Sequence, residues 1–116
     1  MKRFDLGAGV GRSLTAFGSR GVSFAPVLRP GVSSVVRMLV EPGGVLGLHP
    51  AREHQLFIVV EGAGWVRTDS GPRVEIGAGQ AAFWGPGEVH ESGSDTGMTA
   101  IVVEGPDLAP ELPELG

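Results

Sequence analysis

The 116-residue chain has no cysteine, so a disulfide framework and thiolate chemistry are both excluded. Any zinc or iron it held would be bound by imidazole, carboxylate or amide oxygen. Tyrosine and asparagine are also missing, and eight of the nine basic residues are arginine. That bias reads as genomic base composition rather than chemistry. Charge is sparse at 19%, the net charge is -4, and no basic run occurs, which argues against a nucleic-acid partner. Apolar runs are short. No stretch reaches the roughly 18 residues of a membrane span, and the start, MKRFDLGAGVGRS, lacks the apolar core of a signal peptide. The expectation is a soluble, cytoplasmic protein that neither binds nucleic acid nor enters a membrane.

What the chain does have is glycine and proline, 20 and 9 residues. With 41% hydrophobic residues, these point to one domain of short strands and many turns. Residues 1–20 read as a polar, glycine-rich N-terminal arm, 21–104 as a β-barrel domain, and 105–116 as an extended tail of proline and acidic residues. Gly7, Gly9 and Gly11 faintly suggest a phosphate loop, but no strand precedes them and no helical pattern follows.

Strand-like runs fall at 21–28, 33–41, 45–49, 55–61, 65–68, 73–76, 81–84, 89–91 and 99–104. Pro26 marks an edge or bulge in the first. The run Gln55–Glu61 is apolar on both faces, which implies burial on both sides: barrel interior on one, a second sheet or a partner subunit on the other. Arg37 and Arg67 are expected on exposed strand faces, and Trp65 and Trp84 in the core or at the barrel mouth. Nine short strands without helical period predict an all-β antiparallel sandwich or barrel. Such a fold joins residues distant in sequence.

The residues with chemistry in them are clustered. All three histidines, His49, His54 and His90, lie in GGVLGLHPAREHQLFIVVEGAG (43–64) and GQAAFWGPGEVHESGS (79–94). Glu53 and Glu91 neighbour them and are expected either to orient an imidazole or to stand in solvent.

These two segments resemble the paired motifs of the cupin family, small jelly-roll barrels. The first family motif runs glycine, His-any-His, a short spacer, Glu, six residues, glycine. Here His49 takes the first histidine slot, Ala51 falls where the second belongs, and Gln55, with six residues between it and Gly62, takes the glutamate slot. In the second motif Gly79 opens, Gly87 is the corner glycine and His90 the histidine, while Gly85 replaces the usual proline and Ser94 stands in the Asn slot. The resemblance implies an all-β antiparallel jelly-roll barrel, a homodimer, and one divalent metal ion (Mn, Fe, Ni or Zn) held by His49, Gln55 and His90. A one-residue slip at Pro50–Glu53 would turn His54 inward in place of Gln55, leaving that ligand open. The implied function is binding of a metal and a small-molecule ligand in the barrel, with metal-dependent isomerisation, cyclisation or oxygenation as candidate reactions. Because Ala51 replaces a ligand, a metal-free ligand-binding or vestigial barrel is the alternative.

Overall fold

The computed structural model describes residues 1, 4–5, 9–28, 34–110 and 112–115. Within them lie eight strands and no α-helix: β1 (Arg12–Ser13), β2 (Arg20–Leu28), β3 (Ser34–Pro50), β4 (His54–Thr68), β5 (Val74–Gly77), β6 (Ala81–Trp84), β7 (Val89–Ser94) and β8 (Met98–Gly105). A single 3₁₀ turn, Ala16–Gly18, precedes β2.

All pairings are antiparallel. The barrel closes because β3 and β4 each serve two sheets. The first half of β3 pairs with β8 and most of β2, and its second half pairs with β7 and, at Val45, with Arg20 of β2. The first half of β4 pairs with β6 and β8, and its second half with β5 and β7. One sheet therefore runs β1-β2-β3-β8-β4-β6 and the other β3-β7-β4-β5.

The glycine clusters that separate the strand-like runs at 42–44 and 62–64 are bends inside continuous strands. Pro42-Gly43-Gly44 lies within the 17-residue β3, and Gly62 and Gly64 within the 15-residue β4. At Gly62 the backbone is left-handed (φ 77°), and a Cβ there would overlap the Gly97 carbonyl oxygen. Only glycine fits that crossing. The Ser94 hydroxyl, 1% exposed, donates to the Ala63 carbonyl at 2.5 Å and accepts from the Gly97 amide at 2.8 Å. It pins the β7–β8 turn to the bend of β4.

Alternation along the strands fills the interior. Met38 and Val40 of β3, Phe57 and Val59 of β4, and Ala100 and Val102 of β8 face inward and meet Leu46, Val66 and Ile76 from the other sheet. Fully burying a side chain of this kind stabilises by roughly 1.5–3 kcal/mol. Trp65 is buried as expected, but apart from the main cluster. It is buried on the outer side of its sheet, opposite Gly93, with the Arg73 guanidinium 3.7 Å above its ring. Arg37 departs from the expected exposed face: it is 2% exposed rather than in solvent. The N-terminal segment crosses its side of the sheet, and its Nη2 donates to the Val10 carbonyl.

Candidate functional site

The site lies at the barrel end where β3 leads into β4 and β6 into β7. His49 and His90 are directly opposite each other in the β3–β7 ladder. Between the pairs Leu46–Ser92 and His49–His90, β3 carries one residue more than β7. This bulge turns His49 inward and leaves Leu48 outside, 40% exposed. The Gly47 amide, out of the ladder, donates instead to the Ser19 hydroxyl at 3.1 Å.

Residues opposite one another on neighbouring strands present their side chains side by side. The two imidazole centroids are 4.4 Å apart, with the rings tilted by 57°. Each Nδ1 faces a backbone carbonyl, Gly47 O at 2.8 Å for His49 and Glu88 O at 3.1 Å for His90. A carbonyl only accepts, so each Nδ1 carries the proton and each Nε2 carries a lone pair. His90 is 1% exposed, and its Nε2 is buried with no hydrogen-bond partner among the described residues. Burial lowers its pKa from 6.5 to about 4, against the raising effect of the Glu88 carbonyl and with help from nearby His49. His90 is therefore a neutral imidazole at neutral pH.

Aromatic rings flank the pair. Trp84 stacks on His90 at 4.1 Å between centroids, and its indole N–H donates to the Thr68 hydroxyl at 3.3 Å. Phe57 meets Trp84 edge-on at 5.9 Å. Phe17, from the 3₁₀ turn, stacks on His49 at 4.9 Å.

Gln55 and His54 lie on opposite faces of β4. Gln55 is 8% exposed and paired with Trp84 and Glu104, and its amide donates to the Glu104 carboxylate at 2.7 Å. That bond commits the amide nitrogen and leaves the amide oxygen as the atom with lone pairs to offer. His54 stacks on Phe83, itself 38% exposed, and its Nδ1 donates to the Pro106 carbonyl at 3.0 Å. His49 and His90 thus come into contact, Gln55 shares their inner surface beside Trp84, and His54 is on the outside. Ala51, 4% exposed, presents only a methyl group. Among the described residues no group of three or more His, Asp or Glu side chains gathers as a metal cluster. Glu91 does not orient an imidazole; it pairs with Arg67 at 2.6 Å on the outer surface.

Sequence reasoning missed Glu104 and Phe17. Glu104 was findable, since it continues the inward alternation Ala100, Val102. Phe17 was not, being one of two phenylalanines in a polar segment without strand or helix period. A separate cavity of about 310 Å³ opens between the N-terminal segment and β2, bounded by Ser13, Thr15, Ser19, Arg20 and Glu41, and holds none of the imidazoles.

A family model described as a cupin domain matches residues 36–104, more than half the chain and both motif segments. The chain belongs to the cupin family. Solved structures agree with this on fold. This cupin is similar to the polyketide cyclase RemF from Streptomyces resistomycificus, with 21% identity, TM-score 0.78, and 95% of this chain and 82% of the other covered. It is also similar to a predicted oxalate decarboxylase from Thermotoga maritima, with 24% identity, TM-score 0.75, and coverage of 84% and 93%. KdgF from Halomonas sp. is a third such neighbour, at 21% identity and TM-score 0.68, covering 76% of this cupin and 82% of itself. No curated protein sequence matches this cupin.

Proposed function

We propose that this cupin binds a divalent transition-metal ion between His49 and His90, with the Gln55 amide oxygen as third protein donor. A small organic molecule then takes the remaining positions. The observation that carries this reading is the buried Nε2 of His90, which has a lone pair and no hydrogen-bond partner among the described residues, beside a second imidazole of the same tautomer. Two neighbouring imidazoles that each carry an Nε2 lone pair cannot satisfy each other; a cation or a hydrogen-bond donor can. Imidazole–metal bonds are ~2.0–2.1 Å, and rings 4.4 Å apart are within reach of one ion. The Gly47 and Glu88 carbonyls hold the two rings in the ligating tautomer, the usual work of groups behind a metal ligand. Such an ion supplies Lewis-acid polarisation of a carbonyl, or activation of water or dioxygen. The candidate reactions are isomerisation, cyclisation and oxygenation of a small molecule held against Trp84 and Phe57.

One observation favours a second reading. The described residues hold no cluster of three or more His, Asp or Glu, and Ala51 offers no ligand. In that reading the two Nε2 atoms accept hydrogen bonds from hydroxyl or amide groups of a bound molecule, and no metal takes part.

Tag-free protein, incubated with manganese, iron, nickel or zinc and desalted, separates the two. Near-stoichiometric metal that is lost in the His49→Ala, His90→Ala double variant, weakened in Gln55→Ala and unchanged in His54→Ala supports the metal site. Wild-type protein that retains none of the four ions selects the metal-free reading. The proposal extends to assembly: the half-buried outer residues Leu56, Ile58, Ile101 and Val103 form the contact of a homodimer.

A further inference from the structure

Among the described residues only Phe17 and Asp69 are non-glycine with positive φ, and Phe17 is the bulky one. Its backbone is left-handed (φ 61°, ψ 25°), a region that bulky side chains seldom occupy. It sits in a one-turn 3₁₀ segment whose N-cap makes no side-chain hydrogen bond. The ring is 56% exposed, yet it lies nearly parallel to His49, 18° between planes and 4.9 Å between centroids. A phenylalanine held in a strained conformation and left half in solvent is not core packing. It stays because its surroundings fix it there.

Those surroundings are specific to the bulge beside His49. The Gly47 amide donates to the Ser19 hydroxyl. The Phe17 carbonyl oxygen lies so close to Gly47 that any Cβ at that position would collide with it. The same bulge that turns His49 inward thus seats the turn that covers it. The imidazole pair is sandwiched between flat faces, Trp84 behind His90 and Phe17 in front of His49. The indole is buried at 3% exposure, whereas the phenyl ring is the exposed one, attached by a strained turn.

We infer that Phe17 is a displaceable cover over the imidazole pair, and that the ligand it yields to presents a planar, unsaturated face to His49. The strain in the turn favours release of Phe17, and a flat ligand restores the stacking that release gives up. Phe17 then sets specificity: it admits molecules that can replace a ring on an imidazole and excludes water and bulky saturated ones. The ligand class rests on the reading that this pair binds a small molecule. The cover itself does not.

The test is the rate at which diethyl pyrocarbonate modifies each histidine, read by peptide mass spectrometry on EDTA-treated protein. His54, outside the barrel, is the internal reference in every sample, so the His49-to-His54 ratio corrects for any general loosening. Phe17→Ala removes the ring, and Gly47→Ala displaces the turn with Phe17 intact. Both variants are expected to raise the ratio at least threefold over wild type, and an unchanged ratio in both overturns the cover. In Phe17→Ala, benzamide is expected to lower the ratio at least twofold at a concentration where cyclohexanecarboxamide does not. Equal protection by the two amides, or none by benzamide, overturns the planar ligand. Metal plays no part in either measurement, so a failure here leaves the metal titration of the imidazole pair to stand or fall separately.

Discussion

At the scale of single residues, His90 couples stability to pH. Its pKa is about 4 in the folded protein and 6.5 when exposed. Between those values the unfolded chain takes up a proton that the folded barrel refuses, so stability falls as pH drops from about 6.5 to about 4 and levels off below. At 1.36 kcal/mol per pKa unit the loss is roughly 3 kcal/mol. Urea denaturation of EDTA-treated wild type and His90→Gln across this window isolates the contribution from that of the carboxylates. Wild type should lose stability relative to the variant as the pH falls, and parallel curves would refute the assignment. Ser92 makes a second residue-scale prediction. Its hydroxyl is buried at 1% exposure with no partner among the described residues. Ser92→Ala removes an unsatisfied group, so stability should hold or rise by up to about 1 kcal/mol. A clear loss would mean that the hydroxyl has a bound water. His49 and His90 were legible in the sequence because both sit in motifs whose glycines fix the spacing. For Gln55 and His54 the spacing to Gly62 favoured Gln55 inward, as the structure has it, but one residue of slip would exchange the two sides, and burial beside Phe57 and Val59 is what fixes the register.

At the scale of elements, glycine does two kinds of work that look identical in sequence. Gly93 is a packing position: a Cβ there would come 2.5 Å from Trp65 Cζ2, and Arg73 closes the other face of that ring. Gly93→Ala therefore overpacks the β4–β7 crossing and should cost about 1–3 kcal/mol by thermal or chemical denaturation. Gly85 stands in open space, with nothing within 4 Å of a Cβ and no left-handed φ. Gly85→Ala restricts only the unfolded chain and should be neutral or stabilising, by up to about 1 kcal/mol. Equal losses at the two sites would contradict this division. The same ambiguity explains the strand count. Pro42-Gly43-Gly44 and Gly62–Gly64 carry the composition of turns, but β7 and β8 pair with both halves of β3 and of β4, and so these stretches stay extended through a bend. Long-range pairing decides that, and no local window contains it.

At the scale of the whole molecule, the barrel was legible because turn spacing and alternation are repeated signals, each supporting the others. The seating of the N-terminal segment was not, because it depends on single contacts such as Arg37 to Val10 and Gly47 to Ser19. One molecular property follows from β4 being apolar on both faces. Phe57 and Val59 fill the interior, while Leu56 and Ile58 stand on the outside beside Ile101 and Val103 of β8, with Val60 (52% exposed) and Phe83 at the margin. Single apolar residues on a surface are ordinary, but a contiguous group across three strands marks an interaction site. The proposed occupant is a second copy of the chain, since a two-fold contact sets the same patch against itself. Sedimentation equilibrium should therefore give twice the chain mass of 12.0 kDa. Val60→Glu and Phe83→Glu together place charge on exposed positions that the barrel does not need for folding, and should weaken self-association at least tenfold, about 1.4 kcal/mol. A wild-type mass of 12.0 kDa at every concentration would remove the dimer. The predictions for His90, Ser92, Gly85 and Gly93 would be unaffected, because they depend only on contacts within one barrel.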